Sequence, residues 1–238
     1  MSGLPLLRTK DQRTQRWPEI RREVLLLAPG AVLVWLVMCG AGYLLAHPLT
    51  DAGFARWEGG LDRWFAGHRQ PGWNTVTNAA SLAGDTPVAI GMSVLTFVVL
   101  RLVLHRWRES ILLAVSMIGE VAIFSATAAV VDRHRPTVQH LDGSPPTSSF
   151  PSGHTAASAT LYGVLVVIVF AYSARAGWRI LAVIAAALIV LSIGMSRLYR
   201  GMHYPSDVVG GILLGTLWIT VTCLVILYGH TRHVSGVS

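Results

Sequence analysis

The chain has 238 residues, of which 53% are hydrophobic and only 13% charged, about half the charged share of a soluble domain. With a mean hydropathy of +0.53, that balance excludes an ordinary water-soluble globule and a disordered chain, and the 23 glycines show no collagen-like triplet period. The formal charge of +7 does not point to a nucleic-acid partner, because the basic residues cluster at the ends of apolar segments, as the positive loops of a membrane protein do.

Residues 1–23 are polar and basic, with Arg8, Lys10, Arg13, Arg16, Arg21 and Arg22. The apolar run Val24–Ala46 follows. It is longer than a signal-peptide core and reaches the roughly 20 residues that cross a bilayer, so it reads as an uncleaved first transmembrane helix. In the polar stretch 47–84, Phe54, Trp57, Leu61, Trp64 and Phe65 recur at helical spacing with Arg56, Asp62 and Arg63 between them. This pattern predicts a short amphipathic helix at the membrane surface, or a packed re-entrant turn.

Asp85-Thr86-Pro87 has the form of a helix start, with a capping carboxylate and a proline in the first turn. The second membrane helix runs from there to about Leu104, and the third covers Ile111–Val131. After a polar loop, 132–150, the fourth runs over Thr155–Tyr172, the fifth over Ile180–Met195 and the sixth over Val208–Tyr228. Cys39 and Cys223 lie inside apolar runs and read as small packing residues. The expected fold class is therefore all-α, a polytopic membrane bundle of six transmembrane helices with a short amphipathic interfacial helix. Residues 1–23 form a basic N-terminus, 24–228 a single membrane-embedded domain and 229–238 a tail.

Six crossings put both termini on one side. That side carries the six basic residues of the N-terminus with Arg101, Arg106, Arg108, Arg175, Arg179 and Arg232. The other side has Arg56, Arg63, Arg69, Arg133, Arg135, Arg197 and Arg200. The excess places both termini in the cytoplasm of a multi-pass cell-membrane protein. Arginines crowded into short outer segments are unusual for translocated loops, and they mark the functional site.

Three outer segments abut helices three to six: Asp132-Arg133-His134-Arg135-Pro136, Pro151-Ser152-Gly153-His154, and Ser196-Arg197 with His203 and Asp207. Their side chains match what phosphoryl transfer needs. Guanidinium forks bind non-bridging phosphate oxygens, and the Ser152 hydroxyl and Gly153 N–H precede a helix start, where anions are favoured. An imidazole attacks phosphorus if its other nitrogen is held by a carboxylate. His203 and Asp207 are four residues apart, one turn of a helix beginning there. His154 is placed to protonate the leaving oxygen, and the scheme requires no metal and no cofactor.

The last two segments resemble the type 2 phosphatidic acid phosphatase family, which also includes vanadium-dependent haloperoxidases. Its pattern is K-x6-R-P, P-S-G-H and S-R-x5-H-x3-D. Pro151–His154 and Ser196-Arg197…His203…Asp207 fit the second and third parts. The resemblance implies an integral-membrane lipid phosphatase in which His203 is the nucleophile, forming a phosphohistidine, Asp207 orients it and His154 is the general acid. It also implies that Arg135, Arg197, Ser152 and Gly153 bind phosphate; Ser196 and Arg133 are candidate accessory positions beside them.

One position departs from the pattern: Ala128 stands where the family has lysine. The expected partners are the bilayer and a lipid phosphate, either phosphatidate, phosphatidylglycerophosphate or a polyprenyl diphosphate such as undecaprenyl diphosphate. The head group would enter at the outer face among helices four, five and six. The alternatives are a lipid phosphotransferase on the same site and a catalytically inactive membrane scaffold.

Several other residues have two readings. His134 and His140 match no motif position and read as solvated loop histidines, while Arg200 and Tyr204 are candidates for head-group contact or interfacial anchoring. Glu120 falls near the middle of helix three, where an ionisable group costs at least about 2.5 kcal/mol unless it faces the bundle. It reads as a neutral packing residue, with a functional role as the alternative. Gly210, Gly211 and Gly215 read as close-packing positions on helix six.

Overall fold

The computed structural model describes residues 17–47, 49, 53–143 and 146–228, with side-chain environments from Leu25 onward. Residues 1–16 of the basic N-terminus and the tail 229–238 lie outside the described residues. Every regular element among the described residues is a helix. These are α1 (Trp17–Ala46), α2 (Gly53–Gly67), α3 (Pro71–Ala83), α4 (Thr86–Val98, extended by a π-helical turn Val99–Val103), α5 (Trp107–Val130), α6 (Gly153–Tyr172), α7 (Ala176–Tyr199) and α8 (Pro205–Cys223, extended by a π-helical turn Leu224–Tyr228). Six are long and apolar enough to cross a membrane: Leu25–Ala46, Thr86–Val103, Trp107–Val130, Gly153–Tyr172, Ala176–Tyr199 and Pro205–Leu227. Side chains such as Leu33, Leu36, Leu188 and Val209 point outward from the bundle, as suits a lipid-facing surface.

The central helix is α6, packed on α5, α7 and α8. Its closest neighbour is α8, and small residues explain why. A Cβ on Gly211 would lie 2.6 Å from the Ser152 carbonyl oxygen, and one on Gly215 would lie 2.8 Å from the Ala159 Cβ. The glycines therefore serve helix packing, as the sequence suggested. Helix α1 closes the other side, burying Leu27, Val34 and Met38 with Ile123, Leu214 and Trp218. The Trp218 indole donates to the Ser116 carbonyl at 2.9 Å, so its one polar atom is satisfied inside the apolar packing.

Three boundaries beside the motif segments differ from the sequence expectation. Helix α7 runs to Tyr199, so Ser196 and Arg197 lie in its last turn rather than beyond it. Helix α6 begins at Gly153 and α8 at Pro205. In α8 a first-turn proline sets the start, and the Asp207 carboxylate accepts from the Tyr204 N–H at 2.8 Å, the reach-back of a capping residue.

The short amphipathic helix expected over Phe54–Phe65 is α2; a further helix, α3, follows it in the same stretch, and α2 turns its polar face inward. Trp57 and Trp64 are exposed while Glu58 and Asp62 are buried. The reason is a buried cation at the end of the bundle, Arg133, which needs a carboxylate. The outward tryptophans are the type of side chain favoured at a membrane–water boundary. Helix α3 packs on α7, where the Tyr199 hydroxyl accepts from the Gln70 N–H and donates to Asn74 Oδ1, both at 2.9 Å.

Candidate active site

The end of α5, the start of α6, the end of α7 and the start of α8 meet at one end of the bundle, under α2 and α3. After α7 the chain reverses at Gly201, whose φ of +74° suits glycine, and a Cβ there would sit 2.8 Å from Val138. The reversal carries His203 back over the helix ends. The Ser152 N–H donates to the Asp207 carbonyl at 2.9 Å, which ties the second segment to the third.

His203 is buried, with Nδ1 2.8 Å from the Ser149 carbonyl oxygen and 3.7 Å from Asp207 Oδ2. A carbonyl only accepts, so Nδ1 carries the proton and Nε2 keeps its lone pair. Burial lowers the His203 pKa below the usual imidazole value, more than the nearby Asp207 carboxylate raises it, and the ring is neutral at neutral pH. Arg135 Nη1 lies 3.4 Å from Nε2.

Asp207 is fully buried and accepts from Arg133 Nη1, the Ser149 hydroxyl and the Tyr204 N–H. The other Arg133 nitrogen donates to Glu58 Oε2 at 2.8 Å, and Glu58 Oε1 accepts from the Ser206 N–H at 2.8 Å. The Tyr204 ring lies 4.6 Å from the Arg133 guanidinium carbon. Arg133 is thus engaged on the far side of Asp207, and Tyr204 is its stacking partner.

A cavity of about 640 Å³ opens beside His203. Arg135, Arg197, Gly153, His154 and His203 line one end, and Ile90, Val94, Met117, Ile118 and Val121 line the other. Arg135 is pinned through Nη1 to the Met202 carbonyl at 2.9 Å. Arg197 is held through Nη1 by Ser81 Oγ at 2.5 Å and Asp142 Oδ2 at 2.7 Å. The Nε of each is buried with no hydrogen-bond partner among the described residues. Two anchored guanidiniums with donors to spare suit an oxyanion, since a buried unpaired donor is costly. His154 Nε2 lies 3.5 Å from Asp85 Oδ1.

Not every expected residue faces this cavity. The Ser152 hydroxyl is buried and shares a hydrogen bond with Thr155 Oγ1 at 3.0 Å. Ser196 Oγ donates to the Ile193 carbonyl at 2.6 Å. Arg200 is neither an anchor nor a head-group contact, because Asp142 takes its Nε at 2.8 Å from each oxygen. His134 is exposed, but His140 is half-buried with Nε2 2.9 Å from the Pro136 carbonyl. The cavity lies among α4, α5 and α6, the second, third and fourth membrane helices, rather than the fourth, fifth and sixth. Contact of α8 with α6 at Gly211 and Gly215 leaves no room for it on the expected side.

Ser149, Glu58, Asp142 and Ser81 were not singled out from the sequence. Glu58 alone carried a signal, as a carboxylate on the polar face of an amphipathic stretch beside an arginine-rich end. Among the described residues no group of three or more His, Cys, Asp or Glu side chains is arranged to hold a metal ion.

Known proteins resemble this chain in sequence and in fold. Residues 109–230 match the family model of the PAP2 superfamily, and the chain belongs to that superfamily. It is 36% identical over 70 residues to the bacitracin transport permease protein BcrC of Bacillus licheniformis and, again 36% over 70 residues, to phosphatidylglycerophosphatase B of Bacillus subtilis. Each match takes in 29% of this chain and 30% or 34% of the relative, so it spans about a third of the length of those proteins. The fold is that of the transmembrane PAP2-type phosphatidylglycerolphosphate phosphatase from Bacillus subtilis, with a TM-score of 0.70 at 20% identity over 85% of this chain and 94% of that one. Aquifex aeolicus LpxE also aligns, with a TM-score of 0.54 at 22% identity over 68% of this chain and 92% of that one. Six apolar spans and this membership make the chain a multi-pass membrane protein.

Proposed function

We propose that the protein hydrolyses a phosphate monoester or diphosphate of a membrane lipid. The observation that carries this reading is the cavity itself, polar with two arginines and two histidines at one end and apolar between membrane helices at the other. Arg135 and Arg197 hold the non-bridging oxygens with the Gly153 end of α6. His203 Nε2 attacks phosphorus and the P–O bond to the leaving group breaks. His154 gives that oxygen its proton and then takes one from the water that hydrolyses the phosphohistidine. No step in this scheme uses a metal. The positive-inside count puts the termini in the cytoplasm and the site on the extracytoplasmic side.

The test is phosphate release by detergent-purified protein from phosphatidate, phosphatidylglycerophosphate and a polyprenyl diphosphate, with excess EDTA and with His203→Ala beside the wild type. Metal-independent release that disappears in the variant supports the scheme. Release lost with EDTA, or retained by the variant, overturns the corresponding part. No release from any of the three defeats the hydrolase reading.

A further inference from the structure

Glu120 is not used by the chemistry above, yet it lines the same cavity. It is 1% exposed, lies in the membrane-spanning part of α5, and its Oε2 has no hydrogen-bond partner among the described residues. A carboxyl in hydrocarbon is carried as the neutral acid, which offers one donor and an acceptor. Left unpaired there it is a liability, and groups of that kind usually face a pathway or a ligand.

Its depth points to the partner. The Phe124 ring meets the position of a Gly153 Cβ at 3.0 Å, so Phe124 stands beside the phosphate end of the cavity. Glu120 lies one turn earlier on the same face of α5, about 6 Å deeper into the membrane. In a glycerolipid phosphate the ester carbonyl carbon is about five covalent bonds, roughly 6 Å, from phosphorus. In a polyprenyl or simple alkyl phosphate that depth holds only hydrocarbon.

We infer that Glu120 is a specificity-determining residue, hydrogen-bonding the ester or hydroxyl oxygen of a glycerolipid phosphate one turn below the reacting phosphorus. This rests on the lipid-phosphatase reading and names the lipid class that the site prefers. An apolar side chain there removes the preference without touching the reacting atoms.

The test compares wild type, Glu120→Gln and Glu120→Leu on three phosphomonoesters in detergent: dioleoyl phosphatidate, farnesyl phosphate and hexadecyl phosphate. Glu120→Leu is expected to raise KM for phosphatidate about three- to tenfold, the value of one hydrogen bond, and to leave the other two within about twofold. Glu120→Gln keeps a donor and an acceptor and stays near wild type on all three. Equal shifts on all substrates assign Glu120 to structure and overturn the inference, as does no shift on any. Both results leave the phosphatase reading intact, because the wild type is active in them. If wild type releases phosphate from none of the three, this inference fails, and the phosphatase reading then stands or falls on the phosphatidylglycerophosphate and polyprenyl diphosphate of the first test.

Discussion

His203 donates from Nδ1 to the main-chain carbonyl of Ser149 at 2.8 Å, while the carboxylate of Asp207 stands 3.7 Å away. The tautomer and aim of the ring are thus set by a backbone atom in the loop before α6. Asp207 acts beside that bond, holding the Ser149 hydroxyl and Arg133. His203→Ala is expected to lower phosphate release by at least about 10³-fold, the scale seen when a nucleophile is removed from a unit of this kind. Thermal unfolding should stay close to wild type. Residual turnover within tenfold of wild type would falsify the nucleophile assignment.

The same ring predicts a pH profile. Burial lowers the His203 pKa against the opposing pull of Asp207, and in the proposed scheme the base form is the one that attacks. Activity is therefore present above the lowered pKa and lost only as the pH falls through it. The acid limb of kcat/KM due to this group should lie below about pH 6.5, the ordinary imidazole value. An acid limb centred at or above that value would show that His203 is not desolvated as the structure has it.

Much of this site was legible in the sequence. The motif residues His154, Arg197, His203 and Asp207 fall at helix ends, where a change from apolar to polar composition marks them. What could not be read was which neighbours hold them. Asp142 anchors Arg197 across 55 positions, and Glu58 reaches Arg133 across 75. No local periodicity connects such residues, because the contacts form only after the helices have packed. The start of α8 was missed for a local reason, since Pro205 opens the helix three residues before the first apolar position. The inward polar face of α2 was missed because an amphipathic pattern gives two faces without saying which one meets water.

Glu58 tests that long-range network. Arg133 is buried between Glu58 and Asp207, and it is 8% exposed. Removing Glu58 takes one of the two carboxylates from the buried Arg133 and the acceptor from the Ser206 N–H, and a lost hydrogen bond to a charged group costs about 1.5–3 kcal/mol. Glu58→Ala should therefore lower the thermal midpoint and also reduce activity, since Arg133 would lean on Asp207 alone. A variant as stable as wild type would mean that solvent reaches Arg133 freely.

Asp62 lies one turn from Glu58, buried, with neither carboxylate oxygen hydrogen-bonded among the described residues. Burial, with the charges of Glu58 and Asp207 adding to it, pushes its pKa up to about 7. A carboxyl raised in the folded state stabilises it below the unfolded value, and that contribution is lost as the pH rises through the folded value. Between pH 6 and 8 this group should cost wild type about 1 kcal/mol. Thermal unfolding of wild type and Asp62→Asn across that range checks it. The wild-type midpoint should fall with rising pH, and the variant should remove that part of the slope.

Ala128 is the chain's one departure from the family pattern, and the structure says what to expect from restoring the lysine. It lies one turn beyond Phe124 on α5, nearer the phosphate end of the cavity, and is half-buried. Arg133 does not stand in for the lysine, because Asp207, Ser206 and Glu58 take its nitrogens. Arg135 and Arg197 are then the basic side chains on the cavity wall among the described residues. A long, flexible ammonium at position 128 adds a third charge within reach of the phosphate, and a charge-assisted hydrogen bond is worth about 1.5–3 kcal/mol. Ala128→Lys should lower KM for a lipid phosphate roughly tenfold, offset in part by repulsion from the two arginines. Inhibition by inorganic phosphate should tighten in parallel, which separates a phosphate contact from a change in lipid access. Unchanged KM and unchanged phosphate inhibition would mean that the two arginines already saturate the oxyanion.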